Sequence, residues 1–209
     1  MLSPGRFIVL EGIEGVGKTT QRERLRTLLT ASNIPHRVTR EPGGTALGEH
    51  VRDWILSSHH PVCSDAELLL LFAARAEHVA EVIQPALSVG EWVIADRFVE
   101  ASFAYQGGGR QLPLDRIEAL AEWTLGDMHP DLTILLDAPV EVSMARIQAR
   151  GDALDRIEQE RRDFFERVRA VYLMRAHSMP ERFCVVDALQ PVDVVHQHIV
   201  AAMHTRGWL

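Results

Sequence analysis

The sequence is poor in several residue types, and each scarcity excludes a class of protein. Only two cysteines occur in 209 residues, Cys63 and Cys184, and their spacing matches no metal site. We expect both to be buried thiols in a reducing compartment. Positive charge is not in excess, since the formal net charge is −7. This argues against a broad nucleic-acid surface, and any anion site must be a local cluster of basic side chains.

Long hydrophobic runs are also absent from the sequence, and none approaches a membrane span. The apolar start "RFIVLEG" is too short for a signal peptide, so we expect a cytoplasmic protein without membrane contacts. The ten histidines show no metal-ligand spacing, and His59 and His60 are expected at the surface. A length of 209 residues with 46% apolar residues fits one globular domain, 1–209.

Five short runs rich in β-branched residues alternate with stretches of helical periodicity. The runs are "FIVL" (7–10), "HRVT" (36–39), "WVIA" (92–95), "LTILLD" (132–137) and "FCVVD" (183–187), and helical periodicity covers 20–32, 66–89, 113–126 and 140–150. This alternation indicates an α/β fold in which helices cover both faces of a parallel sheet. Gly107–Gly109 predicts a flexible turn, and Gly151 begins a break in the helical pattern.

The stretch "GIEGVGKT", Gly12–Thr19, fits the phosphate-loop pattern G-x-x-x-x-G-K-[ST]. It follows the first strand run and leads into a helical stretch, which is the context that the motif requires. Its glycines allow backbone N–H groups to converge on an anion at a helix N-terminus. Lys18 is expected to reach the outer phosphates, and the Thr19 hydroxyl to ligate Mg²⁺. The motif therefore predicts nucleoside-triphosphate binding.

The residues that follow the third strand run bear on the reaction. No N-K-x-D motif for guanine recognition occurs, and this run ends in "ADR", Asp96–Arg97. Ligands of parallel sheets lie beyond the carboxyl ends of the strands, so both side chains should face the site. Asp96 could orient Mg²⁺ or its waters, and Arg97 could bind a second phosphate. The alternative is a surface ion pair.

Three further motifs suit a second, phosphorylated ligand. They are "TREPGGT" (39–45), "LLFAAR" (70–75) and "SFAYQGGGR" (102–110). Leu71 and Arg75 are four residues apart and share a helix face. An apolar surface, an amide and arginines fit an aromatic base that carries a phosphate.

Together with "PDLTILLD" and "RGDALDRIE", these motifs resemble bacterial thymidylate kinase. They run in the family's order from Phe7 to about Glu160. The resemblance implies a doubly wound, five-stranded P-loop kinase that transfers the γ-phosphate of ATP to dTMP with Mg²⁺, and a homodimer. It implies that Glu14 faces the acceptor and accepts a hydrogen bond from the deoxyribose 3′-hydroxyl.

The resemblance also assigns residues to each part of the site. The catalytic set is Lys18, Asp96, Arg97 and Arg150, and the metal ligands are Thr19 and Asp96. ATP contacts are expected from Gly12, Ile13, Glu14, Gly15, Val16, Gly17, Lys18, Thr19, Thr20, Arg146 and Arg156. dTMP contacts are expected from Glu14, Arg52, Leu71, Arg75, Arg97, Ser102, Tyr105 and Gln106.

Position 15 is glycine where some members of the family carry a basic residue. The stretch "ARIQARGDALDR" resembles the bacterial type, which carries arginines on a mobile lid, so the resemblance implies a mobile lid around residues 146–160. Arg150 is expected to contact the transferred phosphate, and Gln148 replaces a lid arginine of some relatives. Leu71 stands where the family has a base-stacking phenylalanine. Either Leu71 packs on the base or the register is shifted to Phe72. Two other functions stay open, namely a kinase for another nucleoside monophosphate and a P-loop module that binds nucleotide without turnover.

Overall fold

The structure, a computed structural model, describes residues 5–57, 62–151 and 153–209. His59 and His60 lie outside the described residues. In chain order the elements are β1 (Phe7–Glu11), α1 (Lys18–Ala31), β2 (His36–Arg40), α2 (Ala46–Leu56), α3 (Ser64–His78), a π-helical turn (Val79–Ile83), α4 (Gln84–Ser88), β3 (Trp92–Asp96), α5 (Val99–Ser102), a π-helical segment (Phe103–Gly109), α6 (Leu114–Leu125), β4 (Leu132–Asp137), α7 (Val140–Arg150), α8 (Arg162–Ser178), β5 (Phe183–Asp187) and α9 (Val192–Thr205).

The strands form one parallel sheet of five strands in the order β2-β3-β1-β4-β5. β1 lies at its centre, where Val9 is paired with Ala95 of β3 and with Thr133 of β4. The carboxyl ends of β1 and β3 are therefore neighbours. This brings the phosphate-loop motif and Asp96–Arg97 to one edge of the sheet.

Alternate residues of β1 face two separate hydrophobic clusters. Ile8 and Leu10 pack in the cluster that includes residues of α1, α8 and α9. Phe7 and Val9 pack in the cluster that includes residues of α3, α6 and the segment 98–103. Helices thus cover both faces of the sheet, and the predicted doubly wound α/β fold is confirmed.

The helix ends follow from local sequence. Thr45 caps α2, since its hydroxyl accepts a hydrogen bond from the backbone N–H of Gly48 at 2.9 Å. α7 ends at Arg150 because Gly151 follows with φ 75°, a left-handed conformation that glycine adopts at low cost. The predicted break after residue 150 is therefore confirmed.

The prediction of a flexible turn at Gly107–Gly109 is wrong, because these residues are buried in the π-helical segment. They are positions of close packing. A Cβ on Gly108 would lie 2.7 Å from the carbonyl oxygen of Arg167, and one on Gly109 would lie 2.4 Å from the Phe164 ring. The glycines thus let α8 approach this segment, and the Arg167 side chain donates to the Gly108 and Gly109 carbonyls.

The prediction of two buried cysteines is also wrong. Cys63 is exposed at the start of α3, and Cys184 is half-buried in the edge strand β5. Burial raises the pKa of the Cys184 thiol. Over the described ranges, no helix combines the length and apolar character needed to cross a membrane.

Candidate active site

The phosphate-loop motif Gly12–Thr19 joins β1 to α1. Its three glycines have φ angles between 76° and 129°, which residues with a Cβ rarely adopt. This conformation turns backbone N–H groups toward the start of α1, where an anion can bind. Ile13 and Val16 are buried in the core, so only their backbone groups can contact a phosphate. Thr19 and Thr20 are exposed in the first turn of α1.

Lys18 is folded back onto the phosphate loop. Its Nζ donates to the carbonyl oxygens of Gly12 and Ile13, both at 2.9 Å. Burial lowers the pKa of this ammonium to about 8, and the nearby Arg97 guanidinium adds to the shift. A bound phosphate would favour the charged form, so the loop has a cation ready for a polyanion.

Gly15 is in direct contact with α7. A Cβ at this position would lie 2.5 Å from the backbone carbonyl oxygen of Ser143 in α7, and the φ of 76° is itself unfavourable for other residues. No larger side chain fits there. Position 15 therefore cannot supply a cation to a bound phosphate.

Arg97 is the centre of a buried network beside the loop. Its guanidinium donates to Glu14 Oε1 at 2.6 Å, to the Tyr105 hydroxyl at 2.9 Å, and to the Gly12 carbonyl and the Tyr172 hydroxyl at 3.0 Å. Tyr105 donates to Glu14 Oε2 at 2.6 Å. Arg97 has φ 72°, a rare conformation for a residue with a side chain. The acid of the phosphate loop is thus held by Arg97 and Tyr105.

Glu11, at the end of β1, is joined to this network through the Tyr172 hydroxyl. It is fully buried and accepts hydrogen bonds from the Phe98 N–H at 2.8 Å and from the Tyr172 hydroxyl at 2.6 Å. Burial is the main reason that its pKa rises to about 7. Burial also raises the pKa of Tyr172 well above its usual value, so this hydroxyl keeps its proton.

A cavity of about 450 Å³ opens beside Lys18 and the Arg97 network. It is lined by all eight of the predicted acceptor residues, namely Glu14, Arg52, Leu71, Arg75, Arg97, Ser102, Tyr105 and Gln106, and by Lys18, Asp96 and Arg150 from the catalytic set. Basic side chains from α1, α2, α3, α7 and the loop after β3 thus converge on one space in a protein of net charge −7. This is the local cluster that the composition requires for an anion.

The structure separates the two alternatives for the base-stacking position. Leu71 lines the cavity, whereas Phe72 is buried in the core cluster behind it. The face predicted for Leu71 and Arg75 is therefore confirmed, and no shift of register is needed. Phe72 instead packs under Arg75, whose guanidinium carbon lies 4.7 Å from the ring centroid.

Asp96 and Arg97 both line the cavity, with side chains only 17% and 15% exposed, so the alternative of a surface ion pair does not apply. Asp96 lines the cavity, with a carboxylate oxygen 3.5 Å from the Arg22 guanidinium. Within the described ranges no group of three or more His, Cys, Asp or Glu side chains could hold a metal ion. A single carboxylate and the exposed Thr19 hydroxyl match the sparse protein ligation of Mg²⁺ that also binds phosphates.

The lid arginines point in different directions. Arg150 lines the cavity, and both oxygens of Glu158 accept from its NH2 group, at 2.8 and 3.0 Å. Arg146 donates to the carbonyl of Ala188 at 3.0 Å, in the loop that follows β5. Arg156 donates to Ile55 O at 2.6 Å and forms an ion pair with buried Glu67. Arg156 is thus tied to α2 and α3, and its predicted contact with ATP stays a prediction.

Sequence reasoning missed Glu11, Glu41, Glu67, His78 and Tyr172, all of which are buried beside the cavity. One available signal is the acid that ends a buried strand, as in Glu11. Another is the three-residue spacing of Arg75 and His78, which places both on one helix face. Tyr172 gives no local signal, because its partner Glu11 is 161 residues away.

Comparison with known proteins identifies this arrangement. The family model described as thymidylate kinase matches residues 10–199. The chain belongs to the thymidylate kinase family. It is 53% identical over 189 residues to the thymidylate kinase of Pseudomonas savastanoi pv. phaseolicola, covering 90% of each chain. It is 52% identical over 195 residues to that of Alkalilimnicola ehrlichii, covering 93% of this chain and 90% of the relative.

A solved structure agrees with these relatives. The crystal structure of thymidylate kinase from Ehrlichia chaffeensis superposes with a TM-score of 0.78 at 30% identity, covering 96% of this chain and 100% of the other. The resemblance to the family and the P-loop kinase fold are both confirmed. Membership also makes the protein a kinase, so a binding module without turnover is excluded.

Proposed function

We propose that the protein transfers the γ-phosphate of ATP to dTMP, giving dTDP and ADP. The observation that carries this proposal is the shared cavity, because Lys18 of the phosphate loop and the acceptor residue Arg75 line the same space. Phosphoryl transfer depends mainly on positioning two phosphates in line and on neutralising charge. Leu71 and Ala74 give the cavity an apolar wall suited to a pyrimidine base.

The main predicted residues have these roles in the proposed reaction. Arg146 and the loop residues 12–20 other than Glu14 bind ATP, and Lys18 contacts its outer phosphates. Thr19 and Asp96 would hold Mg²⁺, which neutralises phosphate charge when bound. Arg97 binds the acceptor phosphate, and Glu14 accepts from the sugar hydroxyl. Arg150 moves with the lid and contacts the transferred group.

A coupled assay of ADP release tests the proposal directly. It compares dTMP, dUMP, dCMP, dGMP and AMP as acceptors, with Lys18→Ala as the inactive control at unchanged circular dichroism. We expect dTMP to have the highest kcat/KM. A preference for AMP or dCMP would instead support a kinase for another nucleoside monophosphate, and near-normal turnover by Lys18→Ala would remove the loop from the mechanism.

We also propose a homodimer that works in the cytoplasm. α3 packs against α2 and α6, and the three helices carry large apolar side chains in water, with Trp54 57%, Leu69 56% and Trp123 83% exposed. Large apolar side chains exposed on neighbouring helices are typical of a protein interface. Light scattering should give twice the chain mass, and Leu69→Glu should reduce it to the monomer. A monomeric wild-type protein would contradict the proposal.

A further inference from the structure

His78, the last residue of α3, is fully buried and makes two hydrogen-bonding contacts. Its Nδ1 lies 2.9 Å from Glu41 Oε1, and its Nε2 lies 2.7 Å from Thr39 Oγ1. Both partners belong to the segment at the end of β2 that carries the "TREPGGT" motif. The imidazole therefore joins α3 to this segment.

The direction of one of these hydrogen bonds is fixed by the chemistry of the groups. An ionised carboxylate can only accept, so Nδ1 carries the hydrogen that faces Glu41, in the neutral ring as in the protonated ring. The Thr39 hydroxyl can donate or accept and therefore serves Nε2 in either state. Glu41 thus receives a fixed donor on Oε1.

The other oxygen of Glu41 holds Arg75. Arg75 Nε donates to Glu41 Oε2 at 2.7 Å, while NH1 donates to Ser102 Oγ at 3.0 Å and NH2 to the Phe98 carbonyl at 3.1 Å. A guanidinium has five N–H donors, so these bonds leave one on NH1 and one on NH2. Arg75 is one of the residues that line the cavity.

The loop is also built closely around the imidazole ring. A Cβ on Gly44 would lie 2.7 Å from both His78 Nε2 and Thr39 Oγ1, at a position where φ is 81°. The backbone at Gly44 therefore packs directly against the ring, with no room for a side chain between them.

We propose that His78 is a positioning residue of the acceptor site. It holds the Glu41 carboxylate so that Arg75 presents its remaining N–H donors to dTMP. The proposal rests on the assignment of Arg75 to dTMP binding given above. His78 itself touches no substrate. Its effect on the reaction passes through the Thr39–His78–Glu41–Arg75 chain of hydrogen bonds.

Two amide substitutions separate this role from a general contribution to packing. The asparagine amide nitrogen occupies the place of Nδ1, one bond from Cγ, whereas the glutamine amide nitrogen extends to the place of Nε2. His78→Asn therefore keeps a donor toward Glu41, and His78→Gln keeps a polar group toward Thr39 alone. Both variants lose the ring, so both should melt at a lower temperature than the wild type.

The measurement is KM for dTMP and for ATP, with the melting temperature of each variant. We expect His78→Gln to raise KM for dTMP about tenfold, as for loss of a hydrogen bond to a charged group, and His78→Asn to raise it less than about threefold, a rescue relative to Gln. KM for ATP should change little in either. A purely structural role predicts equal changes in both KM values, and that result would overturn the proposal.

Two further variants keep the outcome decisive. Arg75→Ala tests the underlying assignment, because an unchanged KM for dTMP would overturn the acceptor site and this proposal with it. If KM rises in Arg75→Ala but not in His78→Gln, the acceptor site stands and only the role of His78 fails. Thr39→Val removes the hydroxyl that contacts His78 Nε2. This variant takes the place of His78→Gln in the test if His78→Gln does not fold. It should raise KM for dTMP a few-fold, and an unchanged value would overturn the proposal.

Discussion

The two sides of the cavity hold their arginines in different ways. On the acceptor side, the side chains of Arg75 and its partner Glu41 are only 2% and 5% exposed, and Arg97 and Glu14 are 15% and 16% exposed. On the lid side, the Arg150 side chain is 46% exposed. Removing one partner of a buried pair is strongly unfavourable, whereas an exposed pair contributes little. We therefore expect the proposed acceptor side to be in place before substrate binds, and the Arg150 side chain to be able to change partners.

The largest expected effect lies on the lid side. Arg150→Ala should lower kcat by about 10³-fold or more, as for other arginines that contact a transferred phosphate, with little change in ATP affinity. Arg150→Lys should recover only part of kcat, because an ammonium lacks the planar set of donors. Steady-state kcat and the ATP dissociation constant check this.

Arg146→Ala is the control for Arg150, since its guanidinium binds the Ala188 carbonyl and does not line the cavity. A normal kcat for Arg150→Ala together with a reduced kcat for Arg146→Ala would exchange their roles. Normal kcat values for both variants would mean that neither arginine takes part in catalysis. Arg97 would then be the candidate for the catalytic cation.

Glu14→Ala should have the next largest effect, on the acceptor side. The substitution removes the acceptor for Arg97 and Tyr105 as well as the proposed sugar contact. We expect the rise in KM for dTMP to correspond to a loss of roughly 1.5–3 kcal/mol in binding free energy, the cost of a hydrogen bond to a charged group. KM for ATP should stay nearly constant. Glu14→Gln keeps one acceptor oxygen and should lose less. An effect confined to ATP would place Glu14 on the other substrate.

Arg156→Gln should have a smaller effect. Its size for each substrate shows whether Arg156 contributes to dTMP binding or to ATP binding. Glu67, its ion-pair partner, also accepts from the acceptor residue Gln106 at 2.7 Å. We therefore expect a few-fold rise in KM for dTMP, in the range of a single weakened hydrogen bond, and little change for ATP. Arg161→Gln, at an exposed arginine five residues along the chain, is the matched control. A rise in KM for ATP alone would instead support the predicted contact between Arg156 and ATP.

The smallest expected effect is a pH dependence of stability. Glu11 has a pKa of about 7 in the folded protein against 4.5 for an ordinary glutamate, chiefly through burial. The folded state therefore binds this proton more tightly, and stability falls as the pH rises from about 4.5 through about 7. Melting temperatures across this range should fall less steeply for Glu11→Gln. Equal slopes would show that Glu11 does not titrate there.

The sequence predicted the elements whose signals are local. All five strands were placed to within one residue, and the bounds of α7 matched, because strand runs and a terminal glycine are short-range patterns. The phosphate loop, Arg97 and the face shared by Leu71 and Arg75 were predicted for the same reason. The buried partners were not, since Glu11 and Tyr172 are 161 residues apart in the chain and Glu41 and Arg75 are 34 residues apart.

The most direct test of a preformed acceptor side is calorimetric titration of dTMP in the absence of ATP. If the acceptor arginines are in place beforehand, the wild type should bind dTMP alone, Arg75→Ala should bind it at least about tenfold more weakly, and Arg150→Ala should bind it as the wild type does. Equal losses in the two variants would contradict this account, because the lid arginine would then belong to the preformed site.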